Sequence, residues 1–303
     1  MERKKLYCDL HTHTRYSDGM FLEPRELVRL AHFNGIDVLA VTDHDNCFGY
    51  DEAQSEGERL GMNVIPGAEI TTPDYHLLAL NFNPNDEGFA EFLKKSRGLQ
   101  KEKCKLRVQK LRENGLPILM ENVYEMFNPE KTRIGKFNVF VAMMFNPECR
   151  RIMYEQTPEL GTYERFRHYM SNVIGKLPDF GVNEEEAINA VHSAGGVIGI
   201  AHPFKEIKDM DEMNRLVRLG IDFLEVQPNY RGRENKRYTN EDFERFALQN
   251  GLPISYGSDY HGPSFNRELL LRGENVLSEN LEELLNRGYV KISRLGKFLE
   301  VCC

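Results

Sequence analysis

Between Cys8 and Gly19 the chain reads CDLHTHTRYSDG, with His11 and His13 two apart and Asp18 close behind. Alternate residues of a strand face the same side, so His11 and His13 can chelate one ion while Thr12 faces away. Side chains of the same chemistry recur downstream: His44 in VTDHD, Glu69 in GAEIT, His76 opening HLLAL, His202 in IAHPF, and Asp259 with His261 in GSDYHG. Singly, each has an ordinary reading. A His-x-His is more often a solvated or hydrogen-bonded pair, Asp18 before Gly19 is a turn signal, and a histidine opening an apolar strand is usually a satisfied core residue. Recurrence at the ends of successive strands points instead to one metal-binding pocket. Histidine mixed with carboxylate suits Zn, Mn or Fe, whereas Mg and Ca sites are built mainly of oxygen.

The elements that must position these residues follow a βα rhythm. Strand-like KLYCDLH precedes the helical PRELVRLAHFNG, and DVLAVTDH precedes YDEAQSEGERLG, after which NVIPGAEIT and YHLLALNF read as further strands. The rhythm resumes with NEEEAINAVHSAGG, VIGIAHP, DMDEMNRLVRLG, IDFLEVQP, NEDFERFALQNG and PISYGSDYHG; LEELLNRG and YVKIS add a last helix and strand. Parallel strands joined by helices in this number favour a barrel, whose functional face lies at the C-terminal strand ends. The predicted fold class is α/β, a TIM-like barrel of residues 1–85 and 181–303. The helical, charge-rich stretch 86–180 reads as an inserted subdomain capping the site.

The 303 residues suffice for a large core, and 41% hydrophobic with 28% charged residues is an ordinary globular balance. No apolar run approaches a membrane span, and no apolar stretch follows the basic MERKK, so a cytoplasmic location is expected. Six cysteines without CxxC spacing fit reduced thiols, and a net charge of −8 argues against duplex nucleic acid as a partner. A strand followed by Gly-x-Gly-x-x-Gly is missing, which disfavours a dinucleotide fold.

In order, DLHTHTRYSDG, VTDHD, GAEIT, HLLAL, IAHPF and GSDYHG resemble the PHP (polymerase and histidinol phosphatase) superfamily, over the first eighty or so residues and again from Val182 to Pro263. The resemblance implies a distorted (β/α)7 barrel. The helical insertion is similar to that of stand-alone bacterial members that are 3′,5′-nucleotide bisphosphate phosphatases or 5′-to-3′ exoribonucleases. It further implies a trinuclear centre of divalent Mn, Zn or Fe. His11, His13, Glu69 and Asp259 would hold the first ion; Glu69 would bridge to a second held by His76 and His202; Asp18, His44 and His261 would hold the third. Glu69, Asp259 and His261 are thereby the expected catalytic residues.

Such a centre implies hydrolysis of a small phosphomonoester by a metal-activated hydroxide, on a nucleotide or a short oligonucleotide 5′ end. Small phosphorylated molecules and short single-stranded RNA are the expected partners, with stacking on Phe137, Phe140 or Tyr230 in the RNA case. Histidinol phosphate is the competing substrate, and a non-catalytic metal-binding regulatory module the competing class. Arg15, Arg133, Lys205 and Arg233 are the expected substrate contacts, with Arg231 and Arg237 beside the last. His32, His168 and His192 are expected to stay outside the site.

Overall fold

The computed structural model describes residues 5–17, 22–226, 237–262 and 275–293; Asp18, Tyr230, Arg231 and Arg233 lie outside the described residues. The chain divides into two compact units, Met1–Lys94 with Val182–Cys303, and Lys95–Gly181. In the first unit seven strands pair in chain order: β1 Cys8–Thr12, β2 Val38–Val41, β3 Asn63–Thr71, β4 His76–Leu80, β5 Val197–Ile200, β6 Phe223–Val226 and β7 Ile254–Tyr256. Just past β7 the chain returns to β1. The Asp259 N–H donates to the His11 carbonyl at 2.8 Å and the His13 N–H to that of Tyr260 at 2.8 Å, which nearly closes a barrel. Helices flank it, as the α/β reading expects; Pro24–Phe33 and Tyr50–Leu60 cover Leu39, Val41 and Val64.

Two irregularities decide what the barrel presents. The first is the direction of β4, which the βα rhythm reads as parallel. It pairs antiparallel with both β3 and β5, with His76 opposite Thr71. Only four residues separate β3 from β4, too few for the crossover that parallel neighbours require. The second is a register shift in β1. Asp9 lies opposite Leu39 and Thr12 opposite Val41, so β1 takes three steps where β2 takes two. An extra residue of this kind reverses which side the following side chains face. Cys8 and Leu10 therefore pack in the barrel core with Val38 and Ala40, while His11 and His13, of opposite parity, are buried at its end.

The same core-to-polar progression runs up the other strands. Ile65 and Glu69 share a face of β3, Leu80, Leu78 and His76 one of β4, and Phe223 and Glu225 one of β6. The apolar members belong to one cluster and the polar members stand at the ends. The expected strand at YVKIS is not formed: Tyr289–Ser293 carries no strand assignment, and Tyr289 and Val290 donate instead to the backbone and side chain of Asn81.

The unit Lys95–Gly181 is helical with its own core of Cys104, Leu111, Val139, Phe140, Met143 and Tyr169. The buried Arg165 guanidinium is satisfied by Thr157, donating to its hydroxyl at 3.0 Å and its carbonyl at 2.8 Å. Phe140 is buried in this core, which removes its ring from the stacking expected from the sequence, and the partly buried Phe137 packs against Phe166. Phe137 and Phe140 both belong to the helix Lys136–Phe145, KFNVFVAMMF, which is apolar almost all round and buries Asn138 to Met143 consecutively.

Packing in the barrel is tight at Gly199, where an added Cβ would stand 2.5 Å from the Phe223 carbonyl oxygen and against its ring. Gly98, inside the helix Glu87–Glu113, has nothing within 4 Å of the corresponding position. Gly199→Ala should cost about 1–3 kcal/mol or more in urea unfolding. Gly98→Ala should stabilise by about 0.5–1 kcal/mol.

Candidate metal centre

Glu69 ends the polar face of β3 and is buried, contrary to the exposed position a turn-like PGA would allow. Imidazole nitrogens from five histidines approach its carboxylate: His202 at 2.9 Å, His44 at 3.0 Å, His11 at 3.2 Å, His13 at 3.3 Å and His76 at 3.5 Å. Asp259 adds a second carboxylate oxygen, 3.3 Å from His13 and 3.7 Å from His11. His261 stacks on His13 with ring centroids 4.1 Å apart. Donor atoms converge in overlapping groups able to hold ions: His11, His13, Glu69 and Asp259; His44, Glu69 and His76; His13, His44 and His261; and His76, His202 and Glu206.

Hydrogen bonds on the far sides of the rings fix which nitrogen faces inward. His11 Nδ1 donates to Glu225 Oε1 at 2.8 Å, which leaves Nε2 as the nitrogen turned to the cavity, where a proton or a metal ion can occupy it. The Ser17 hydroxyl donates to Asp43 Oδ1 at 2.6 Å and so accepts from His13 Nδ1 at 3.2 Å, with the same result. His261 Nδ1 donates to the Asp259 carbonyl at 2.8 Å. Inward-facing Nε2 of His11 and His13 and Oε2 of Glu69 make no hydrogen bond, a costly arrangement for buried polar atoms. A divalent cation fits this donor set, since it satisfies nitrogen lone pairs and a carboxylate together, and rings oriented through their second nitrogen are usual in such sites.

Electrostatics point the same way. Burial pushes the His11 and His13 imidazoles down, but Glu225 and Glu69 lift His11 well above its ordinary range, and Asp259 and Glu69 lift His13 to about 9. Burial likewise raises the Glu69 carboxyl, and His44, His11 and His76 outweigh it, holding it well below the usual carboxylate range. The cavity is a negative field in which protons or metal cations are the natural counter-charges.

Backbone strain marks the site. His202 has φ 30° and Asp259 φ 55°, left-handed values that are rare outside glycine and concentrate at functional positions. Each is held: the His202 N–H donates to Glu225 Oε2 at 2.6 Å, and the Asp259 N–H to His11. Asp45, with φ 52°, accepts from the Thr71 N–H and hydroxyl, both at 2.8 Å, and so ties the turn after β2 to the end of β3.

The nine expected metal-binding positions thus gather at one end of the barrel, save Asp18, which lies outside the described residues. Lys205 joins them, donating to Asp259 Oδ2 at 2.6 Å. Arg15 instead pairs with Glu23 at 2.7 Å near the surface, and Arg237 donates to the Lys208 carbonyl. Arg133 belongs to the unit Lys95–Gly181, where burial, with the charge of Arg133 contributing, depresses both Lys103 and Arg107. His192 hydrogen-bonds Asp222, His168 stacks edge-on with Tyr169, and neither joins the metal-capable groups, nor does His32. Residues the sequence reading missed are Glu225, Glu206, Asp43 and Ser17 as partners of the histidines. A carboxylate in the apolar run FLEV and one four residues past His202 were the available signals.

Residues 9–121 match the model of the PHP domain. The matched stretch carries His11, His13, His44, Glu69 and His76. A 5′-3′ exoribonuclease of Haemophilus influenzae is 27% identical over 268 residues, covering 84% of this chain and 90% of that protein. A 3′,5′-nucleoside bisphosphate phosphatase of Chromobacterium violaceum is 26% identical, covering 84% of this chain and 87% of the relative. The solved structure of a candidate metal-dependent phosphoesterase from Bifidobacterium adolescentis superposes with a TM-score of 0.78 at 28% identity, covering 97% of this chain and all of that one. These likenesses set the chain among the metal-dependent hydrolases of phosphoric ester bonds.

Ring protons and metal ions compete for the same nitrogens, and His13 holds its proton up to about 9. Metal binding should therefore release protons and tighten from pH 6 to pH 8, which calorimetry in buffers of different ionisation enthalpy reads directly. Glu225→Gln should weaken metal affinity by about 10–100-fold by loosening His11.

Proposed function

We propose that the protein hydrolyses a small phosphomonoester, a 3′,5′-bisphosphorylated nucleotide or the 5′ end of a short oligonucleotide, at a trinuclear centre on the barrel end. His11, His13, Glu69 and Asp259 would hold one ion, Glu69 with His76 and His202 a second, and Asp18, His44 and His261 a third. The observation that carries this reading is the Glu69 carboxylate among five histidine nitrogens, two of them with lone pairs held inward by Glu225 and Ser17.

Bound divalent ions supply Lewis acidity toward water and toward a phosphoryl oxygen. The chain's own residues do the rest. Glu225, Ser17 and Asp43 fix ring orientation, so donor geometry requires no reorganisation during turnover. Lys205 brings an ammonium group beside Asp259 and can meet charge developing on the transferred phosphoryl group. His261, with Nδ1 held by the Asp259 carbonyl, keeps Nε2 for a ligand, and so is better suited to donating a lone pair than a proton. Arg133, near Lys103 and Arg107 within the unit Lys95–Gly181, carries guanidinium chemistry suited to binding phosphate. The free thiols of Cys8, Cys47, Cys104 and Cys149 go with a cytoplasmic setting.

Inorganic phosphate release should be measured across nucleoside mono- and bisphosphates, short 5′-phosphorylated RNAs and histidinol phosphate, with Mn, Zn or Fe. The proposed reading requires turnover of a nucleotide or oligonucleotide substrate, loss on chelation and recovery on adding metal. Preference for histidinol phosphate would overturn the substrate, and no turnover with any metal would overturn the reading. His13→Ala and Asp259→Asn should lose activity by at least about 10²-fold. His192→Ala should stay near wild type.

A further inference from the structure

Glu206 is a carboxylate at the barrel end outside the nine expected metal-binding positions. The left-handed turn at His202 starts the four-residue helix Pro203–Glu206, which carries Glu206 back toward the start of β4. There its Oε2 accepts from the His76 N–H at 2.8 Å, and its Oε1 lies 3.0 Å from His76 Nδ1. Oε2 also lies 3.7 Å from His202 Nδ1, a buried nitrogen that makes no hydrogen bond. Glu69 approaches the same two rings: its Oε1 is 3.5 Å from His76 Nδ1 and 2.9 Å from His202 Nε2, the second nitrogen of that ring.

These separations have a chemical meaning. Nitrogen and oxygen donors bind first-row divalent ions at about 2.0–2.2 Å, which sets neighbouring donors about 3.0–3.5 Å apart around the ion. His76 Nδ1 has one carboxylate oxygen at such a distance on each side, from Glu206 and from Glu69. We infer that Glu206 is an additional carboxylate donor, forming with His76 and His202 a site for one ion beside Glu69. The inference rests on the metal-centre reading and deepens it. Glu206 is suited to the role because the His76 N–H anchors Oε2, so Oε1 is aimed without further support. The Glu206 carboxylate makes this position more negative and harder than two imidazoles alone, so that it retains the ion more strongly at a given pH.

The test is metal content and affinity, measured on the full chain without reference to turnover. Wild type, Glu206→Gln and Glu206→Asp are loaded with Mn or Zn, desalted, assayed for metal per chain by elemental analysis and titrated calorimetrically; thermal melts in chelator check the fold. Gln still accepts from the His76 N–H but offers a neutral, weaker donor. Glu206→Gln should lose about one equivalent per chain, with at least about tenfold weaker affinity for it and an unchanged melt in chelator. Glu206→Asp should fall between Gln and wild type, and carries the test should the Gln variant fail to fold. Wild-type metal content and affinity in both variants would overturn the inference and leave the metal centre standing. A wild-type chain that retains no metal would overturn both.

Discussion

A single buried carboxylate surrounded by imidazoles is the constraint on which the barrel end depends. Glu69 is almost wholly withdrawn from water, and an isolated charge there would be prohibitive. Its ionisation is tolerable only because positive or Lewis-acidic partners stand around it, and the five histidine nitrogens within 3.5 Å are positioned to supply them. The rings impose the complementary demand. Left neutral and uncoordinated, the inward nitrogens of His11 and His13, whose other nitrogens donate to Glu225 and Ser17, are buried acceptors facing another acceptor. Each half of the cluster is unstable without a cation, whether protons on the rings or metal among them, and this reciprocity makes the barrel end a cation site rather than a polar core.

The backbone departs from regularity where that demand is greatest. A regular β1 would send Leu10 and His11 to opposite faces and put His11 among the helices; the extra residue between Asp9 and Thr12 keeps both on the inside. A parallel β4 would carry His76 to the far end of the barrel. Its reversal sets His76 opposite Thr71, two residues beyond Glu69 on the same face. The left-handed residues His202 and Asp259 turn side chains inward after their strands have ended. Glu225 links two of these devices, accepting from the His11 ring through one oxygen and from the strained His202 N–H through the other. One carboxylate thus orients a ring and holds a turn, so strain at the site is offset by hydrogen bonds built into the neighbouring strand.

Much of this was legible in the sequence. The polar residues that close each apolar run, His11, His44, Glu69, His202 and Asp259, fixed which end of the barrel would be reactive, because alternation and the βα rhythm both project onto the strand ends. His76 was legible only through the family resemblance. Periodicity alone reads it as a core histidine, since the direction of a strand is set by its partners and leaves no mark on its own residues. Glu225 and Glu206 escaped for a different reason. A carboxylate within an apolar strand or on the first turn after a histidine is a weak local signal, and becomes informative only when the ring it faces is known.

Substrate contacts follow a different logic from the metal donors, which makes them harder to read from a sequence. A metal donor must be a histidine or carboxylate at a fixed point of the barrel, so residue type and strand end together nearly determine it. A phosphate contact needs only a cation on a flexible stem, and arginines and lysines are abundant on any surface. Lys205 was reachable because it follows His202 so closely that the same turn delivers it to Asp259. Arg15 is no farther from a histidine in sequence, yet Glu23 and the Tyr16 ring take it toward the surface. Proximity in sequence therefore transfers to the site only where the backbone is constrained, as it is at the left-handed His202, and not where a loop leaves the side chain free to find its nearest counter-charge.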